Sequence, residues 1–117
     1  MSIDNVLAGV AVTSLDEAIR WYARVLGAAP RRSMPEVAEW QFARGGALQV
    51  FEDPARAGRS SVTFVVDSVD DQIAQLTASG IAIVRTTNSA QARTATVSDP
   101  DRNQVVFAQP MGEALAR

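Results

Sequence analysis

Hydrophobic and polar positions alternate and then change period twice along this chain, in the same way each time. Val6, Ala8, Val10 and Val12 share one face of an extended segment, with Leu7, Gly9 and Ala11 on the other. The period then lengthens: Leu15, Ala18, Ile19, Tyr22 and Leu26 recur at helical spacing. Ser14-x-x-Glu17 supplies an N-cap pattern and Gly27 a stop. Further along, Val62, Phe64 and Val66 oppose Ser61, Thr63 and Val65, and a second helix follows through Val69, Ile73 and Leu76. Ser68-x-x-Asp71 caps that helix and Gly80 ends it.

The two passages are in register. Ser14 recurs as Ser68, Leu15 as Val69, Asp16 as Asp70, Glu17 as Asp71 and Ile19 as Ile73, all 54 residues apart. So many matches at one offset mark two copies of a supersecondary unit. After each helix the pattern predicts three extended segments. In the first copy these are 29–34, 36–44 and 47–52, with Gly45-Gly46 as a turn; in the second they are 81–86, 92–98 and 104–109. The charged, turn-rich stretch 53–60, "DPARAGRS", joins the copies. The expectation is a single α+β domain, with module one at about 6–52, a linker at about 53–60 and module two at about 61–109. The tail 111–117 reads as a last helical turn or a frayed end.

Composition narrows the chemistry. With 117 residues, 47% hydrophobic and 21% charged, the chain has enough apolar surface for one core. No run is long enough to span a membrane and the N-terminus lacks a signal-peptide pattern, so a cytoplasmic location is expected. The net charge is −2, every cation is Arg, and no basic stripe for nucleic acid is visible. There is no Cys and no His. Their absence removes disulfides, thiolate nucleophiles, the commonest general base and the commonest transition-metal ligand.

"SDPDRNQVVFAQP" places Asp99, Asp101 and Asn103 at alternate positions, like the opening of a calcium loop. Such a loop needs Gly at its sixth position and Glu at its twelfth. Gln104 and Pro110 stand there, so the stretch reads as a turn before an apolar strand.

Two strand-helix-three-strand units, the segment "SLDEAIRWYARVLG" and the turn "DPDRN" together resemble the vicinal oxygen chelate superfamily of glyoxalases, extradiol dioxygenases and bleomycin resistance proteins. The resemblance runs from about Val6 to Gln109. It implies two βαβββ modules whose curved sheets close around a cup, with the helices on the outer face. Arg102 replaces the Gly usual in that turn, which predicts a shift of the positive-φ position onto Asn103. The resemblance also implies a homodimer, since members of this size commonly complete their clefts with a second copy.

In metal-using members four cup positions hold the ion. Matched to this chain they fall on Leu7, Gln49, Ser61 and Val106. Leu and Val have no lone pair, and neutral Gln and Ser are weak donors for first-row divalent ions. No metal and no cofactor are therefore expected. The resemblance then points to the metal-free, drug-sequestering members, and to a small, partly apolar ligand bound by Leu7, Trp40, Gln49, Phe51, Ser61, Thr63, Val65 and Val106, with Trp40 equally readable as a core or dimer-interface residue. No catalytic residue is assigned, and no assigned cup residue is acidic. Glu36, Glu39, Glu52 and Asp53 read as solvated carboxylates. One alternative is a metal-independent isomerase, lyase or hydrolase with a carboxylate base in the same cup. Another is a structural or regulatory dimer whose cup is filled by side chains.

Overall fold

The computed structural model of the chain describes residues 2–112. Ten elements follow in the order β1 (Leu7–Val12), α1 (Leu15–Leu26), β2 (Arg31–Met34), β3 (Val37–Gln41), β4 (Ala47–Glu52), β5 (Ser61–Val65), α2 (Val69–Ala78), β6 (Arg85–Asn88), β7 (Ala92–Ser98) and β8 (Gln104–Pro110). They form two four-stranded mixed sheets, ordered β1-β4-β3-β2 and β5-β8-β7-β6. This is the α+β architecture of two βαβββ modules that the repeat predicts.

The two sheets are built alike. β1 runs parallel to β4, pairing Gly9 with Gln49, and β5 runs parallel to β8, pairing Thr63 with Val106. The remaining pairs are antiparallel. Ser14 accepts the Glu17 N–H and Ser68 the Asp71 N–H, each covering an orphan donor at a helix start. Glu52 Oε1 accepts the Leu15 N–H, and Gln109 Oε1 accepts the Val69 N–H. The last residues of each parallel pair thus complete the cap of the helix that crosses their sheet. Gly27 closes α1 in the left-handed conformation that an L side chain avoids.

One continuous core joins the modules. Val10, Val12, Leu48 and Val50 pack under α1 with Tyr22 and Val25, and the same cluster continues through Leu76, Val97, Val105 and Phe107. The expected strand over 81–86 begins later, at Arg85. Ile81 is instead drawn into the core, its N–H donating to Leu76 O at the end of α2. The tail 113–117 lies outside the described residues.

The Asp99–Asn103 turn does more than reverse the chain. Asp99 Oδ1 accepts the backbone N–H groups of Asp101 and Asn103, while Oδ2 accepts the Tyr22 hydroxyl and the Asn103 side-chain amide. Asn103 also donates to Ala11 O and accepts the Ser60 N–H. Thr13 N–H reaches Asp101 Oδ2. These side chains are the polar fastening between module two and module one. Arg102 itself takes φ 73°, so the positive-φ position stays on the non-glycine residue and does not move to Asn103. The physical reason is that Asn103 is already fixed by four hydrogen bonds and cannot rotate away.

Candidate functional site

Strand parity divides each sheet into a face under its helix and an open face. In the first sheet the open face carries Leu7, Gly9, Ala11, Gln49, Phe51, Val37, Glu39 and Gln41, by their pairing. In the second it carries Ser61, Thr63, Val65, Val106, Thr94 and Thr96. Seven of the eight expected ligand residues therefore lie on open faces: Leu7, Gln49 and Phe51 on one, Ser61, Thr63, Val65 and Val106 on the other. Trp40 does not. It is 4% exposed on the helix side, packs beside Tyr22 at 6.0 Å between ring centroids, and donates Nε1–H to Ala28 O at 2.8 Å.

The first open face holds a group that sequence reasoning missed. Glu39 sits on the central strand β3 with only 9% of its surface exposed, where a solvated carboxylate was expected. Gln49 Nε2 donates to its Oε1 at 3.0 Å and Gln41 Nε2 to its Oε2 at 2.9 Å. Hydrogen bonds from Gln41 and then Gln49 hold the carboxyl below its ordinary value against the opposing effect of burial, and Arg31 adds a smaller pull. The carboxylate is thus ionised and fixed in direction. Glu36, by contrast, is exposed as expected. The parity Glu39–Gln41 on β3, against Gln49 on β4, was the available signal.

Beside this row lies a cavity of about 550 Å³ lined by Gly9, Ala11, Phe51, Arg56, Arg59 and Ser60. Arg56, from the linker, places its guanidinium 5.0 Å from the Phe51 ring centroid and bonds Asp53 through Nε at 2.7 Å. Ser60 Oγ accepts the Ala11 N–H. A larger cleft of about 950 Å³ opens between the modules, where Val6, Phe42 and Leu48 face Phe64, Val65 and Phe107. Thr63 and Val65 border that cleft, whereas Phe51 lines the smaller cavity. None of Leu7, Gln49, Ser61 and Val106 lines either cavity.

The donor set at the four family metal positions is one amide and one hydroxyl, with two alkyl groups. That set does not fit a divalent transition ion. Among the described residues no three His, Cys, Asp or Glu side chains cluster at ligand spacing. No helix of the described residues is long and apolar enough to cross a membrane.

The family model for the Glyoxalase/Bleomycin resistance protein/Dioxygenase superfamily matches residues 2–107. The chain belongs to that superfamily. A glyoxalase/bleomycin resistance protein from Catenulispora acidiphila DSM 44928 is similar over 90% of this chain and 96% of its own, with 31% identity and a TM-score of 0.83. TnmS3, an antibiotic binding protein from Streptomyces sp. CB03234, shares 25% identity over 94% of this chain and 98% of its own, with a TM-score of 0.81. A lactoylglutathione lyase from Agrobacterium tumefaciens shares the fold at 19% identity, covering 93% and 94% of the two chains, with a TM-score of 0.76. No curated protein sequence matches the chain.

Proposed function

We propose that this superfamily member is a metal-independent, cytoplasmic small-molecule-binding protein that acts as a single domain and holds a partly apolar ligand against its open sheet faces. The observation that carries the reading is the Glu39 row. A carboxylate clamped by two amides and held below its ordinary value is a poor proton acceptor at neutral pH. It is a good fixed acceptor for a donor on a ligand. The same observation weighs against the alternative of a carboxylate-base isomerase, lyase or hydrolase, which needs a raised pKa.

Leu7, Gln49, Phe51, Ser61, Thr63, Val65 and Val106 remain the proposed contacts, joined by Glu39 and Gln41 and without Trp40. Leu7, Met34 and Val65 are about half exposed on these faces, at 49%, 52% and 52%. Large apolar groups left open on two curved sheets support a homodimer in which the module-one face of one copy meets the module-two face of the other. The likeness to an antibiotic-binding protein supports ligand sequestration.

Native mass spectrometry with elemental analysis, on protein purified without chelator, tests the reading. The expected result is a dimer free of stoichiometric transition metal. A transition metal bound at one per chain overturns metal independence, and a monomer overturns the dimer.

A further inference from the structure

We propose that the ligand of the module-one face is a small zwitterion, its cationic end on Glu39 and its oxyanionic end on Arg56 and Arg59, with an apolar body lying along Gly9, Gln49 and Phe51. This inference rests on the binding reading above and names the ligand class of that site. Glu39 is buried, and no Arg lies within salt-bridge distance of it among the described residues, where the ion pairs are Arg56–Asp53 and Arg93–Asp70. Arg31, its partner across β2 and β3, faces the same side and is exposed. Each Glu39 oxygen accepts one amide N–H and keeps a second acceptor direction open. The two open acceptor directions suit a cationic donor, and no ion pair occupies them among the described residues.

The opposite sign stands at the other end of the same face. Arg56 spends only Nε on Asp53, and its guanidinium carbon lies over the Phe51 ring, 5.0 Å from the centroid. Arg59 makes no hydrogen bond or ion pair among the described residues, and it lines the same cavity with Ser60. With Asp53 counted against Arg56, this end keeps one net positive charge and several N–H donors in fork geometry, which suits a carboxylate or phosphate. Between the ends Gly9 leaves the floor low: a Cβ there would press to 3.3 Å from the Phe51 ring. Two residues along a strand and one strand across separate Phe51 from Glu39, a span of about 8 Å. The Arg56 guanidinium carbon lies 5.0 Å from the Phe51 ring centroid, so a benzene ring with a charge at each end is a probe of suitable length to lie along Phe51 between the two ends.

The test is isothermal titration, with two-dimensional NMR, of the full chain against 4-(aminomethyl)benzoate and its single-ended analogues benzylamine and 4-methylbenzoate. 4-(Aminomethyl)phenylphosphonate distinguishes a phosphate-type end from a carboxylate. The zwitterion is expected to bind roughly tenfold more tightly than either analogue, the ratio of one charge-assisted hydrogen bond. Glu39→Gln is expected to weaken the zwitterion and benzylamine but not 4-methylbenzoate. Arg59→Met is expected to weaken the zwitterion and 4-methylbenzoate but not benzylamine. Equal binding of all probes, with both variants silent and shifts still at Gln49 and Phe51, overturns the zwitterion and leaves the binding reading standing. Shifts confined to residues off the open faces, including with neutral 4-methylanisole, overturn both.

Discussion

Modules one and two repeat the same fold 54 residues apart, yet their open faces carry opposite chemistry. Across the middle of the first sheet run Arg31, Glu39, Gln49 and Gly9; the matching row of the second is Arg85, Thr96, Val106 and Thr63. The edge Arg is kept in both. The central carboxylate and its amide become a buried Thr and a Val. The helix side shows no such divergence, because Val10 with Val50 and Phe64 with Phe107 are all apolar. Packing under a helix constrains both copies to the same solution, whereas an open face is free to differ. Duplication has therefore produced one polar wall and one neutral wall from one scaffold.

The strand starts show a second asymmetry, and it gives the largest expected effect. The N–H of Val6 and the N–H of Ser60 are equivalent, and each is satisfied by an Asn side chain. In module one the acceptor is Asn5, exposed and local. In module two it is Asn103, 0% exposed, which also holds Ala11 O across the junction and Asp99 within its own turn. Asn103→Ala leaves several buried partners unpaired and is expected to cost about 3 kcal/mol of unfolding free energy in urea titrations. A loss below about 1 kcal/mol would mean that the modules are held by apolar packing alone.

Next in size is the Tyr22–Asp99 bond, another strut between the copies. Tyr22 is fully buried and its hydroxyl donates to Asp99 Oδ2 at 2.8 Å. Burial, followed by the charge of Asp99, pushes the phenol far above its ordinary value of 10.0. A raised folded pKa means stability is fully present below 10.0 and lost as pH rises above it, since the unfolded chain releases that proton first. Tyr22→Phe is expected to cost about 2 kcal/mol at neutral pH and to flatten the alkaline limb of the melting curve. An unchanged alkaline limb would assign that limb to other groups.

How much of this was legible beforehand follows the same division. The repeat, the caps at Ser14 and Ser68, and the Gly27 stop are local patterns, and each stands where the periodicity placed it. Parity along β1, β4, β5 and β8 put seven proposed contacts on open faces. Trp40 and Glu39 escaped because the parity of β3 depends on a register that Gly45 and Gly46 set through the hairpin. The junction was invisible for a different reason. Its partners lie up to 92 residues apart in Asn103 and Ala11, and nothing in a turn sequence names the strand it will dock against. The positive φ at Arg102 has the same origin, a local cost imposed by a distant fastening.

The open faces give the third prediction. Glu39→Gln is expected to lower affinity for a cationic probe such as benzylamine roughly tenfold, while Thr96→Val, at the matching position of module two, changes it less than about twofold. With its folded value below the ordinary 4.5, the Glu39 carboxylate stays charged from neutral pH down to that value. Binding of benzylamine should then be level across that range and fall only at lower pH. A decline already visible at pH 6 would show a protonating carboxyl and restore the general-base alternative. An effect at Thr96 as large as at Glu39 would show that the two walls contribute alike.

The smallest effect closes the contrast between the strand starts. Asn5 Oδ1 accepts the Val6 and Gly46 N–H groups at 2.8 Å each, but all three residues lie near solvent. Water can replace the lost acceptor, so Asn5→Ala should cost only about 0.5 kcal/mol in the same urea titration. The discriminating comparison is the ratio. If Asn103→Ala costs several times more than Asn5→Ala, the fold uses one chemical device twice, as a local turn lock in module one and as the fastening between copies in module two. If the two losses match, Asn103 acts only on Ser60, and its bond to Ala11 contributes nothing net to holding the modules together.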